Sequence, residues 1–137
     1  MTLVNRRAFL GICLSSLGFF GIACRKKNAD TEASSLIAIT SIDKLSEGKN
    51  YFPIERVILI KNKDSVRALS LVCTHQECLL AAQNNGEFLC PCHGSRFSSE
   101  GRVLTGPATE DLHWLYVEIS SSGEVQVDFN RLQPKPS

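Results

Sequence analysis

Two short boxes constrain this chain more than anything else in it. The first reads Cys73-Thr74-His75-Gln76-Glu77-Cys78, the second Cys90-Pro91-Cys92-His93-Gly94-Ser95. Four of the six cysteines and two of the three histidines fall in this one window. Each box holds a Cys and a His close enough in sequence to face one site, plus a further Cys. A site fed by two loops, each bringing one thiolate and one imidazole, is the simplest reading. Zinc accepts two sulfurs and two nitrogens around one ion. An iron–sulfur cluster in which two His replace two Cys on one iron accepts the same four donors. Zinc sites usually pair like ligands, a C-x-x-C knuckle with an H-x-x-x-H helix. Here the pairing is mixed, C-x-H and then C-x-x-H.

The scaffold around the boxes reads as β. Leu36-Ile37-Ala38-Ile39-Thr40 begins a first strand, and Ser41 to Asn50 suits a turn or short helical loop. Val57-Ile58-Leu59-Ile60 and Ala68-Leu69-Ser70-Leu71-Val72 flank residues 61–66 as a hairpin whose second strand leads into Cys73. Leu79 to Ala82, the turn signal Asn84-Asn85-Gly86-Glu87 and Phe88-Leu89 predict a compact hairpin that sets the boxes side by side. Arg102-Val103-Leu104 follows as another strand. Leu112–Ile119 and Val125–Phe129 form a last hairpin around Ser120-Ser121-Ser122-Gly123-Glu124. Many short strands with turns between them predict an all-β domain over residues 36–131, followed by a disordered tail over 132–137. No internal repeat is present, and no amphipathic helix is expected after residue 35. His113 falls in a strand outside both boxes and is assigned no role.

The boxes C-x-H-x-x-C and C-x-C-H-G-S resemble the signature of Rieske [2Fe–2S] proteins. The resemblance covers roughly residues 36–131. It implies a domain of small antiparallel sheets with two cluster-binding loops. It implies that Cys73 and Cys90 hold the inner iron of a [2Fe–2S] cluster, and that His75 and His93 hold the outer iron near the tip of the domain. It further implies a Cys78–Cys92 disulfide joining the two loops, and a Ser95 hydroxyl that bonds a cluster sulfide. Four positions depart from the family pattern. Gln76 and Glu77 replace the usual Leu-Gly of the first box. Phe97 replaces a tyrosine that donates a further hydrogen bond in high-potential members. Thr109 replaces the usual second proline of the covering loop after Gly106-Pro107, which implies a looser cover.

The N-terminal stretch reads as targeting rather than fold. Asn5-Arg6-Arg7-Ala8-Phe9-Leu10-Gly11 resembles a twin-arginine export signal, and an uncharged run from Ala8 to Cys24 follows. Gly21-Ile22-Ala23-Cys24 resembles a lipoprotein cleavage box, with Cys24 as the lipidated residue. The same run, left uncleaved, serves as a short membrane anchor. Residues 1–24 are thus expected to be a signal or anchor, and residues 25–35 a flexible polar linker. Residues 1–27 carry five basic side chains and no acid. Residues 28–137 then hold the other ten basic residues and all fourteen acids, a net charge of −4. An acidic domain argues against nucleic acid as a partner, which normally needs a basic face.

Two neutral imidazoles in place of thiolates make a cluster less negative, which raises its potential into a range of roughly −150 to +300 mV. A ring N–H beside a ferric ion is more acidic than one beside a ferrous ion, so electron uptake can pull a proton along. A quinol offers one of each. The resemblance therefore implies an electron-transfer subunit of a membrane quinol:cytochrome c oxidoreductase. Such a subunit is attached on the periplasmic or extracytoplasmic face, beside a cytochrome b-type subunit that completes the quinol pocket. A c-type cytochrome or similar acceptor takes the electron, and the chain is not an enzyme by itself. The alternative is the small subunit of a periplasmic molybdenum oxidoreductase of the arsenite-oxidase kind. A soluble Rieske ferredoxin fits less well, because such ferredoxins usually lack the extra cysteines. A zinc-binding module without redox function is the reading from a different class.

Overall fold

The run Val57-Ile58-Leu59 is apolar without alternation, and all three side chains are fully buried. Successive strand residues point to opposite faces, so such a run needs cover on both sides. The computed structural model, which describes residues 35–63 and 65–135, provides it. Strand β3 (Val57–Asn62) lies in a six-stranded antiparallel sheet with β1 (Leu36–Ser41), β2 (Gly48–Phe52), β4 (Ser65–Ser70), β9 (Trp114–Ile119) and β10 (Glu124–Leu132). The order is β1-β10-β9-β4-β3-β2. A second, four-stranded sheet holds β5 (Ala81–Ala82), β6 (Phe88–Leu89), β7 (Arg96–Phe97) and β8 (Val103–Thr105) in sequence order.

The register sorts side chains into two cores. Ile58 pairs with Leu69, and Leu69 with Trp114. These three face a core shared with Leu71, Cys73, Phe88, Cys90 and Phe97. One residue along each strand, Leu59 pairs with Ala68 and Ala68 with Leu115. These face a separate core with Val57, Val125 and Val127. The large sheet thus supports the half that carries the two boxes through one face and closes its own core with the other. A one-residue slip would exchange the two sets, which is why the register is tightly specified.

The all-β expectation holds: the helical content of the described residues is one 3-10 turn, Ile42–Lys44. The interval read as a loop, Ser41 to Asn50, contains that turn but also the start of β2, which pairs with β3 from Gly48↔Lys61 to Phe52↔Val57. Lys49 and Asn50 are poor strand formers. Their pairing comes from the partner strand rather than local preference. Strand β10 continues to Leu132, inside the stretch read as a disordered tail, and the Gln133 N–H donates to the Trp114 carbonyl at 2.8 Å. No helix among the described residues is long and apolar enough to cross a membrane. The export motif, the Cys24 box, Cys13 and most of the linker lie outside the described residues.

Candidate metal centre

Both boxes fold into the same loop. Strand β4 runs on through Leu71 to Val72, which bridges to Leu79 and so closes the first box at its base. Inside it, Cys73 N–H donates to the Cys78 carbonyl and Glu77 N–H donates back to the Cys73 carbonyl, both at 2.9 Å. The second box repeats the pattern between β6 and β7. Cys90 N–H donates to the Ser95 carbonyl at 2.8 Å, and Gly94 N–H to the Cys90 carbonyl at 3.0 Å. The fifth residue of each loop must turn back in the left-handed region. Gly94 does so at φ 77° without steric cost, whereas Glu77 is held there at φ 53°.

This loop geometry separates the donors by depth. Cys73 and Cys90 point inward and are 0% and 1% exposed, at the top of the core beneath the boxes. Both are free thiols. His75 and His93 are exposed, with ring centroids 5.0 Å apart and ring planes nearly perpendicular at 89°. Burial pushes the Cys90 thiol up. The backbone N–H groups of Cys92 and His93 and the Cys73 thiol outweigh that, and its value lies below the ordinary thiol range. Amides aimed at a sulfur favour its thiolate, the form that ligates metal.

Cys78 and Cys92 are joined by a disulfide, with Cα atoms 6.6 Å apart. It ties the end of the first box to the middle of the second. The Cys78, Cys90 and Cys92 sulfurs lie within 4.8 Å of one another. This trio is not a metal set, because two of its members are bonded together. It places the disulfide against the buried Cys90 thiol instead.

A third loop, residues 106–111, is bonded to both boxes. The Thr74 hydroxyl donates to the Glu110 carbonyl at 2.7 Å, and the Ala108 N–H donates to Ser95 Oγ at 3.0 Å. Ser95 is fully buried, and its own hydroxyl proton has no acceptor among the described residues, so it is free to be donated into the site. Phe97, also fully buried, offers no hydroxyl. Arg56, on the turn before β3, donates through Nη2 to the Glu77 carbonyl and braces the strained corner of the first box. Sequence reasoning did not single out Thr74, Ala108 or Arg56. Thr74 lies within the first box, but its partner is 36 residues away, and nothing local marks Arg56. His113 is exposed just before β9, and its carbonyl accepts from the Ser70 N–H at 2.9 Å.

Two inward thiols, that of Cys90 favoured as the thiolate, two outward imidazoles and a buried hydroxyl with a free proton form a donor set that fits a cluster with unlike irons. A family model of the Rieske [2Fe-2S] domain matches residues 35–120. The chain belongs to the Rieske [2Fe–2S] family. It is 36% identical over 84 residues to the chloroplastic cytochrome b6-f complex iron-sulfur subunit of Chlamydomonas reinhardtii, covering 59% of this chain and 40% of that protein. It is 34% identical over 74 residues to the cytochrome b6-f complex iron-sulfur subunit of Chlorobaculum tepidum, covering 53% of this chain and 41% of the other. The match therefore spans about two-fifths of the length of these relatives. Among solved structures, it is similar to the cyanobacterial plasma membrane Rieske protein PetC3 from Synechocystis PCC 6803, at 31% identity and a TM-score of 0.47, covering 66% of this chain and 97% of that one. As a Rieske electron-transfer domain, the chain carries a [2Fe–2S] cluster, and the zinc-module reading is set aside.

Proposed function

We propose that this chain is the iron–sulfur subunit of a membrane quinol:cytochrome c oxidoreductase. In this reading Cys73 and Cys90 hold the inner iron of the cluster, and His75 and His93 hold the outer one. The observation that carries it is the matched pair of loops, each with one buried thiol and one exposed imidazole, held together by the Cys78–Cys92 disulfide. When bound, the cluster supplies one-electron transfer at a potential raised by its two neutral ligands.

The chain's own residues do the rest. Burial of Cys73 and Cys90 keeps water from the thiolates. The Ser95 hydroxyl donates toward the site and favours its more negative, reduced state. His75 and His93 present the ring nitrogen not used for ligation to the surface. There a ring nitrogen that has given up its hydrogen would accept a hydrogen bond from a quinol hydroxyl and then hold its proton. The disulfide and the cytochrome b6-f relatives support this role over that of a soluble ferredoxin. A cytochrome b-type subunit completes the quinol pocket, and a c-type cytochrome takes the electron. The twin arginines Arg6 and Arg7 direct export of the folded, cluster-loaded domain. The apolar run ending at Cys24 attaches it to the membrane, as a lipidated terminus or a retained anchor, on the periplasmic side.

One set of observations favours a second reading. Gln76 and Glu77 make the exposed rim of the first box polar, and Phe97 removes a donor associated with high potential. Both suit the small subunit of a periplasmic molybdenum oxidoreductase of the arsenite-oxidase kind. The deciding experiment is purification from membranes together with an EPR-monitored redox titration across pH. Co-purification with a cytochrome b subunit is expected. So is a midpoint above roughly +100 mV that falls at alkaline pH. Co-purification with a large molybdenum subunit supports the second reading. A midpoint near roughly −150 mV with no pH dependence up to about pH 9 overturns both.

A further inference from the structure

The residues from 28 onward are acidic overall, yet four of their ten basic side chains line one cavity. Lys49, Arg67, Arg102 and Lys135 surround a pocket of about 370 Å³ walled by Trp114. None of the residues lining it belongs to either box. Two carboxylates stand against the four cations. Glu100, on the wall, accepts from the Ser98 and Ser99 hydroxyls, which hold its carboxyl below the usual carboxylate range and so keep it charged. Asp111 pairs with Lys135 at 2.8 Å. An excess of two positive charges remains. It falls on the two guanidinium groups, neither of which has a carboxylate within ion-pair distance among the described residues.

Two further observations point to a ligand. The indole N–H of Trp114 is buried and has no acceptor among the described residues, although the side chain as a whole is only 8% exposed. A native buried donor without a partner needs an explanation, and the indole that carries it forms a wall of this cavity. Secondly, Arg67 and Lys49 are held in place by the walls of the cavity. The Arg67 guanidinium lies 5.7 Å from the centre of the Trp114 ring. The Lys49 ammonium donates to the Ser99 carbonyl at 2.7 Å and lies 5.5 Å from the centre of the Phe88 ring. Burial pushes it below its ordinary value, with Glu100 pulling the other way.

We propose that this cavity is a binding site for a phosphate group, gripped by Arg67 and Arg102 and flanked by Lys49 and Lys135. Guanidinium forks match the paired oxygens of phosphate, and the tetrahedral arrangement of its oxygens lets it accept from donors on several sides of the cavity. The group arrives either as free phosphate or as the phosphodiester of a lipid headgroup. The two sources differ in charge and in what hangs from the phosphorus.

The test uses the full-length, cluster-loaded protein at low, matched ionic strength. Inorganic phosphate and glycerophosphoglycerol, a soluble phosphodiester headgroup, are titrated separately against chloride. Occupancy is read by equilibrium dialysis and by the emission of Trp114, the only tryptophan of the chain. Saturable binding that chloride does not reproduce is expected, weakened at least tenfold in the Arg67→Gln/Arg102→Gln double variant. Saturation by inorganic phosphate alone assigns free phosphate. Equal or tighter binding of the diester assigns a lipid headgroup. Arg67 packs on Trp114, so the exposed Arg102→Gln variant alone, expected to weaken binding severalfold, is measured beside the double. Absence of saturable binding, citrate binding as tightly as phosphate, or unaltered affinity in both variants overturns the proposal.

Discussion

Glu77 shows how one residue can depart from its neighbours' rule. Both boxes turn back at their fifth residue, and only Gly94 does so freely; Glu77 adopts φ 53° with a Cβ in place. A left-handed conformation costs a residue with a side chain about 1–2 kcal/mol, and glycine's extra freedom in the unfolded chain returns about 0.5–1 of that. Glu77→Gly is therefore expected to stabilise the protein by about 0.5–1 kcal/mol, a rise in melting temperature of roughly 2–6 °C. A lower melting temperature would mean that the carboxylate has a stabilising role the geometry does not display. Ser95 is bound from two sides, since its oxygen accepts from Ala108 while its proton is free for the site. Ser95→Ala removes both. Leaving a buried N–H without an acceptor costs about 1–3 kcal/mol. Each 1 kcal/mol of donation lost from the reduced state lowers a one-electron potential by roughly 40 mV. The variant is thus expected to melt earlier and to titrate lower. A potential unchanged by Ser95→Ala would place the hydroxyl outside the cluster's hydrogen-bond shell.

Between elements, the two loops are held in register by a few long-range ties. The disulfide joins residues 14 apart in sequence. Removing a crosslink that closes a loop of this size costs about 3 kcal/mol in chain entropy. It also frees the first box to move away from Cys90. The Cys78→Ser/Cys92→Ser variant is expected to lose its visible absorbance faster at a given temperature than the parent. An equal rate of bleaching would show that Thr74, Ser95 and the loop over residues 106–111 suffice. The turn between β7 and β8 carries a second constraint. A Cβ on Gly101 would stand 3.0 Å from Leu112 Cβ and 3.0 Å from Leu69 Cδ1, at φ +80°. The backbone penalty and the overpacking act together, so Gly101→Ala is expected to cost at least about 2 kcal/mol. Thermal denaturation checks it. Turns of this kind were legible in the sequence, since Asn84-Asn85-Gly86 and Ser121-Ser122-Gly123 announce their hairpins locally. Strand β2 was not, because Lys49-Asn50-Tyr51 becomes a strand only when β3 offers its free edge.

At the scale of the whole molecule, the C-terminal residues close the domain through Asp111. Its carboxylate accepts from Lys135 at 2.8 Å and from the Val103 N–H at 2.9 Å, and these bonds, the Lys135 one foremost, hold it below the usual carboxylate range. A depressed carboxylate contributes stability that is complete above its unfolded value, about pH 4, and is lost as pH falls through the lower folded value. Asp111→Asn is therefore expected to flatten the acid limb of the stability curve below about pH 4 and to leave its alkaline limb unchanged. Melting temperatures of the two proteins across that range decide it, and identical acid limbs would remove Asp111 from the account. The sequence alone determined which donors are on offer, thiols and imidazoles in two boxes, and a β scaffold of short hairpins. Donor types, spacings and turn residues are local properties and need no fold to be read. Only the tertiary structure decided the depth of each donor, with Cys73 and Cys90 inside and His75 and His93 at the surface. It alone split Val57-Ile58-Leu59 between two cores and gathered Lys49, Arg67, Arg102 and Lys135 around Trp114. These arrangements join residues distant along the chain, and strand register and burial set them together, so no single stretch of sequence carries them.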